Sequence, residues 1–140
     1  MASSSGSNQL EEGTRETLDF SKLRQVAGIE EDVLPVVVQD STTKEVLILA
    51  YINRQALDES LKTGIATFWS TSRNELWVKG ATSGNALGID EIRVNCEQNS
   101  LVFLVTPKGE GACHTRDAEG RYRTGCYYRR LESSGELEFV

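Results

Sequence analysis

The chain has 140 residues, a formal net charge of −6, and hydrophobic and charged fractions of 39% and 26%. That length fits one domain with a real core, and the acidic balance argues against general nucleic-acid binding, which needs a basic face. No apolar run approaches the ~20 residues that span a bilayer, and the N-terminus lacks the apolar centre of a secretory signal. No membrane partner is therefore expected, and with an odd set of three cysteines a reducing, cytoplasmic setting is the expectation. A small anionic ligand is not excluded, because it responds to a local pocket rather than to net charge.

Residues 1–13 (MASSSGSNQLEEG) are rich in Ser and Gly without hydrophobic periodicity, and read as a disordered tail or a remnant of expression. Residues 14–140 read as a single domain. Between Thr14 and Asp32, Leu18, Phe20, Leu23 and Val26 predict a short amphipathic segment. Leu34–Gln39 is β-rich with Pro35 near its start, Asp40–Lys44 is a polar turn, and Glu45–Ile52 is a second strand, predicting a hairpin with one strand buried on both faces. Asn53 stands at an N-cap position before a helix over Arg54–Thr63, with Ala56, Leu57 and Leu61 on one face and Gly64 as a left-handed C-terminal cap.

Ile65–Ser70 and Leu76–Lys79 predict a second hairpin around Thr71–Glu75, followed by the irregular Gly80–Asn85. Ile89–Cys96 and Ser100–Thr106 predict a third pair around Glu97–Asn99. Pro107–Gly111 is a loop, Arg116–Thr124 an exposed excursion, and the acidic C-terminus peripheral. The fold class is α+β, predominantly β: a compact mixed or antiparallel sheet with one principal helix.

The chemistry concentrates between Arg93 and Arg130, which hold Cys96, Cys113, Cys126 and the only histidine, His114. Three thiolates are the protein-ligand count of a zinc site with a position left open, and the alternative is ordinary buried cysteines, because free Cys is often buried. The spacing Cys-x16-Cys-His-x11-Cys matches no zinc-finger pattern. With a metal present, His114 could move the proton of a bound water; without one it is a satisfied structural imidazole. Asn95, Glu97 and Asn99 could offer oxygens to a hard cation such as magnesium, or form an Asn-rich hairpin turn. Ser72, Arg73, Lys79, Thr82 and Ser83 suit a phosphate-bearing ligand, with Trp69 or Trp77 as a face for a base. A solvated surface hairpin is the alternative.

The blocks Leu49-Ala-Tyr-Ile-Asn53, Leu76-Trp-Val-Lys-Gly-Ala-Thr-Ser-Gly84 and Ala112-Cys-His-Thr115, in that order, closely resemble the phosphoribosyl-AMP cyclohydrolase family of histidine biosynthesis, over Leu34 to Arg130. The resemblance implies hydrolytic opening of the adenine ring of N1-(5-phosphoribosyl)-AMP at the N1–C6 bond. It implies a homodimer that shares Zn2+ across the interface through the positions of Cys96, Cys113 and Cys126. It gives His114 a role in proton transfer. Arg73 and Lys79 gain phosphate as a target, Trp77 a purine, and Ser72, Thr82 and Ser83 hydrogen bonds to the ligand.

Three positions depart from the family pattern. Its Asp-Cys-Asp-x-Asp, which binds Mg2+, is Asn95-Cys96-Glu97-Gln98-Asn99 here, leaving one carboxylate where three are usual. The segment between Cys113 and Cys126 is longer than usual, and its Asp117 and Glu119 are candidate replacement carboxylates. Thr71 and Ala81 stand where Arg and Glu are common. The pyrophosphohydrolase domain fused in some relatives is not expected after Arg130. Two other readings stay open: a non-catalytic zinc-stabilised nucleotide-binding homologue, and a zinc hydrolase acting on a different purine nucleotide.

Overall fold

The computed structural model describes residues 8–140. Strand β1 (Leu34–Asp40) buries Val36 and Val38 and turns Pro35 and Val37 outward, the period of two that a strand imposes. The Asp40 carboxylate closes the next turn by accepting from the N–H groups of Thr42 and Thr43, at 2.8 and 3.0 Å. Strand β2 (Val46–Ile52) then returns antiparallel to β1, which forms the expected hairpin. The expectation of a strand buried on both faces is not met. β2 lies at the edge of a four-stranded sheet of order β2-β1-β6-β5, where Leu47 and Ile48 are buried but Val46 and Leu49 are exposed, Leu49 on a cleft rather than under a second layer.

Helix α2 (Arg54–Thr63) follows a shorter helix α1 (Lys22–Ala27) in the chain. Asn53 accepts from the Ala56 N–H at 2.8 Å, and Gly64 (φ 74°) ends the helix in the left-handed conformation, both as expected. The inward face differs. Ala56 and Ser60 are buried and Leu57 partly so, whereas Leu61 is exposed. Ser60 is one helical turn from Ala56, and Leu61 sits about 140° around the axis from Ala56. The Ser60 hydroxyl both donates to the Thr67 carbonyl and accepts from the Thr67 N–H, each at 3.0 Å, tying the helix to the next strand. In α1 only Val26 is buried, and Leu18, Phe20 and Leu23 of the predicted amphipathic segment face solvent in the single chain.

Strands β3 (Thr67–Ser70) and β4 (Glu75–Val78) form the second hairpin, with Ser70 opposite Glu75. Hydrogen bonds from Ala66 N–H to Leu87 and from Ile89 N–H to Gly64 join this ribbon to the main sheet. Strands β5 (Leu87–Val94) and β6 (Leu101–Pro107) pair antiparallel, and β6 runs parallel to β1, so the sheet is mixed. β5 ends at Val94, and Cys96 therefore lies in the turn beyond it. The core is centred on Phe68, whose ring lies 5.8 Å from that of Phe103 and 5.7 Å from that of Trp77. Phe68→Ala is expected to cost about 3–5 kcal/mol, seen as a lower urea midpoint with an unchanged slope.

Two segments expected to be peripheral are folded in. Strands β7 (Arg129–Leu131) and β8 (Leu137–Phe139) form a C-terminal hairpin. Of the predicted tail, residues 1–7 lie outside the described residues, but residues 8–12 are helical and dock on that hairpin. Arg129 donates to the carbonyls of Leu10 and Gly13, and the Tyr128 hydroxyl donates to that of Glu11, at 2.7–2.9 Å. These backbone groups found partners in the C-terminal segment, which composition could not foresee. Among the described residues, no helix is long and apolar enough to cross a membrane.

Candidate active site

A cleft of about 680 Å³ opens between the edge strand β2, the β3–β4 ribbon with the loop after it, and the segment carrying Cys113. Each wall is fixed by a local device. Gly80 has φ 87°, and a Cβ there would collide with the backbone of Asn85 and Ala86, so only glycine lets the Gly80–Asn85 loop fold back. Asn85 is buried. Its side-chain oxygen accepts from the Glu110 N–H at 2.9 Å, pinning the two glycine-bearing loops together.

Opposite, backbone bonds from Ala112 N–H to Thr124, Cys113 N–H to Arg123 and Arg123 N–H to Thr115 zip residues 112–115 against 123–124. Gly111 allows this approach, since a Cβ would meet the carbonyl of Arg123. Cys126 is anchored by its own N–H, which donates to the Leu47 carbonyl of β2 at 2.7 Å. Cys113 and Cys126 consequently both line the cleft, near enough for each to affect the other's charge.

The electrostatics follow from that pairing. Cys126 is partly open to solvent, yet protein crowded around its sulfur pushes the thiol up to about 12, aided by the neighbouring Cys113 and opposed by Lys79. Lys79 is buried. Desolvation lowers its pKa, and the two cysteines act against that shift. Its ammonium donates to the Asn85 carbonyl at 3.0 Å. The Cys113 sulfur is 3.0 Å from the Thr115 hydroxyl, which also receives the Arg123 guanidinium at 3.1 Å.

The structure brings together on this cleft Cys113, Cys126, His114, Arg73, Trp77, Lys79, Thr82 and Ser83. Ser72 is exposed and outside the lining, 3.4 Å from the Ser70 hydroxyl. Arg73 is exposed and paired with Glu75 at 3.0 Å. Lys79 was expected as a phosphate cation, but its charge faces the two thiols from the cleft floor. His114 is exposed at the cleft, with Nε2 2.6 Å from a carboxylate oxygen of Glu11. Asn85, Tyr122 and Glu11 are additions that sequence reasoning missed. Asn85 lay in a stretch read only as a loop, Tyr122 in the excursion, and Glu11 in the tail, where no periodicity or motif marks it.

Cys96 is exposed and does not line the cleft. Among the described residues, no group of three or more His, Cys, Asp or Glu side chains gathers around one point. As a donor set for zinc, one chain thus offers two adjacent soft thiols, which fit the ion, and a third elsewhere. The Asn95–Asn99 turn does not fit a magnesium ion. The Asn95 side-chain oxygen accepts from the N–H groups of Asn99 and Ser100 at 2.8 and 2.9 Å, and its amide donates to the Asn99 side-chain oxygen at 2.7 Å. With those oxygens closing the turn, Glu97 supplies its one carboxylate, against the six oxygen ligands such an ion prefers. Asp117, a candidate replacement, is partly engaged in its own turn. One carboxylate oxygen caps its own turn through the N–H groups of Glu119 and Arg121, both at 3.0 Å.

Comparison with known proteins bears on what this cleft is for. The family model of phosphoribosyl-AMP cyclohydrolase matches residues 48–128, which include both cleft cysteines, Cys96, His114 and the β3–β4 ribbon. A phosphoribosyl-AMP cyclohydrolase of Archaeoglobus fulgidus is 52% identical over 103 residues, covering 74% of this chain and 89% of the relative. That of Methanosarcina barkeri is 46% identical over 124 residues, 87% of this chain and 88% of its own. The Hyphomonas neptunium enzyme is 44% identical over 79% of each chain. With a match over more than half its length and relatives covered almost end to end, the chain belongs to the phosphoribosyl-AMP cyclohydrolase family.

Proposed function

We propose that the chain hydrolyses N1-(5-phosphoribosyl)-AMP by opening the adenine ring at the N1–C6 bond, in a zinc-dependent reaction of histidine biosynthesis. One observation carries the reading: two adjacent thiols and the only histidine share a cleft with an arginine, an indole and two hydroxyl residues. Cys113 and Cys126 would hold the zinc with Cys96 of a second copy, since Cys96 does not line the cleft of its own chain, and the active unit would then be a homodimer. When bound there, zinc supplies the Lewis acidity that makes water a nucleophile near neutral pH.

The chain's own residues do the rest. Trp77, held at the base of the cleft by its contact with Phe68, offers a face to the purine. Thr82 and Ser83 sit on the Gly80–Asn85 loop with their hydroxyls available to phosphate oxygens, and Arg73 exchanges Glu75 for phosphate. Ser72 extends that row toward solvent. Lys79 sits near the thiols, whose negative charge opposes the loss of its own through burial. His114 accepts a proton from the attacking water and returns it to the ring nitrogen that leaves C6. Magnesium at Asn95, Glu97 and Asn99 has no part in this scheme.

The test is ring opening of phosphoribosyl-AMP followed in the ultraviolet, with metal content measured on the same sample. Turnover that persists without added magnesium, on protein holding zinc, is the expected result. Absence of turnover with zinc bound and magnesium supplied would overturn it in favour of a zinc-stabilised nucleotide-binding homologue, the reading that the closed Asn95–Asn99 turn favours.

A further inference from the structure

The contact between Glu11 and His114 joins residues 103 positions apart and brings to the cleft a carboxylate from the segment that sequence placed outside the fold. The segment is firmly held. Glu12 makes a two-pronged ion pair with Arg123 at 2.7 and 2.8 Å, and the Arg123 side chain is only 12% exposed. That guanidinium lies 4.0 Å over the Tyr128 ring, which stacks on Phe139 at 6.0 Å. The pair lowers the Glu12 pKa through the hydrogen bond with Arg123, which favours its charged form. Arg129 and Tyr128 hold the carbonyls of Leu10, Glu11 and Gly13. The next residue, Thr14, accepts from the Leu137 N–H at 2.7 Å, so the strap continues along the C-terminal hairpin.

We propose that residues 8–13 form a strap whose purpose is to set Glu11 as the carboxylate that positions His114. A carboxylate at one ring nitrogen fixes both the tautomer and the plane of an imidazole. Here Glu11 accepts from Nε2–H, which leaves Nδ1 as the ring's one acceptor. Within one chain the histidine side chain is 78% open, and Glu11 is the partner that orients its ring. Glu11 is a positioning residue. It acts through His114 and completes the acid–base pair that the cleft cysteines lack. The inference rests on the proton-transfer role given to His114 above, and its test separates the two.

Because the chain has a single histidine, its imidazole nitrogens give one set of nuclear magnetic resonance signals in the intact protein. The wild type is expected to show the Nε2–H tautomer with a hydrogen-bonded ring proton. Glu11→Ala is expected to lose that proton signal and mix the tautomers, with zinc content unchanged. In kinetics, Glu11→Ala is expected to lower kcat by about 10–100-fold, the range for losing a carboxylate that fixes a histidine ring, with little change in KM. Glu11→Gln, which keeps an acceptor oxygen, recovers most of both signals. A Glu11→Ala spectrum identical to the wild type overturns the proposal whatever the kinetics. So does an altered spectrum with full kcat in an enzyme that His114→Ala disables. Full kcat in His114→Ala strikes instead at the proton-transfer role, and the two failures are thereby distinguishable.

Discussion

Cys113→Ser is expected to abolish ring opening and strip the protein of zinc while leaving the fold intact. The sulfur is buried and meets the Thr115 hydroxyl. A serine hydroxyl is close enough in size to keep that contact and avoid a cavity. It is also a hard donor that stays protonated near neutrality, so it makes a poor zinc ligand. A three-thiolate site reduced to two would lose both metal and the activated water, and among the described residues no cluster of three or more metal-binding side chains stands in for it. Metal analysis, a urea unfolding curve and the ultraviolet assay on one preparation check all three parts. Sedimentation adds a fourth, because the proposed sharing of ligands between two copies would make dimer stability depend on the metal. A variant that keeps turnover without zinc would reject the metal role outright.

His114→Ala carries the second large effect, a fall in kcat of ~10²–10⁴-fold at unchanged zinc content. The side chain is mostly exposed, so its removal opens no cavity, and its effect on stability should stay within about 0.5 kcal/mol. Activity and stability are therefore separable at this position, unlike at Phe68. Equal kcat in variant and wild type would leave His114 as an ordinary surface residue.

The parts of this molecule that sequence announced are those governed by local rules. Asn53 and Gly64 bracket α2 because capping depends on a few neighbouring atoms, and the three hairpins follow from alternation broken by polar turns. The cleft residues from Arg73 to Ser83 were legible because one hairpin and its loop carry them all. What sequence could not supply is pairing between distant segments. The parallel contact of β1 with β6, the zipper of residues 112–115 on 123–124, and the strap under Arg123 each join stretches with no shared local pattern. Lys79 illustrates the limit. Its residue type suits phosphate, but only the fold shows it buried beneath two sulfurs. Leu61 shows a smaller one, where a serine that binds backbone displaces a leucine from the core face.

The zipper has one more consequence. The distance between Cys113 and Cys126 is set by the backbone bonds that zip 112–115 against 123–124 and by the anchor of Cys126 on Leu47, so the excursion over 116–122 carries none of that load. The turn at its far end passes through Gly120, with φ 80° and open space around it. Loop length and site geometry are thus uncoupled. Extra residues inserted at Gly120, or new chain termini opened there, leave the sulfurs where they are. A recognition rule that demands a fixed cysteine interval would pass over such a site, whereas one that tracks the two anchored ends would find it.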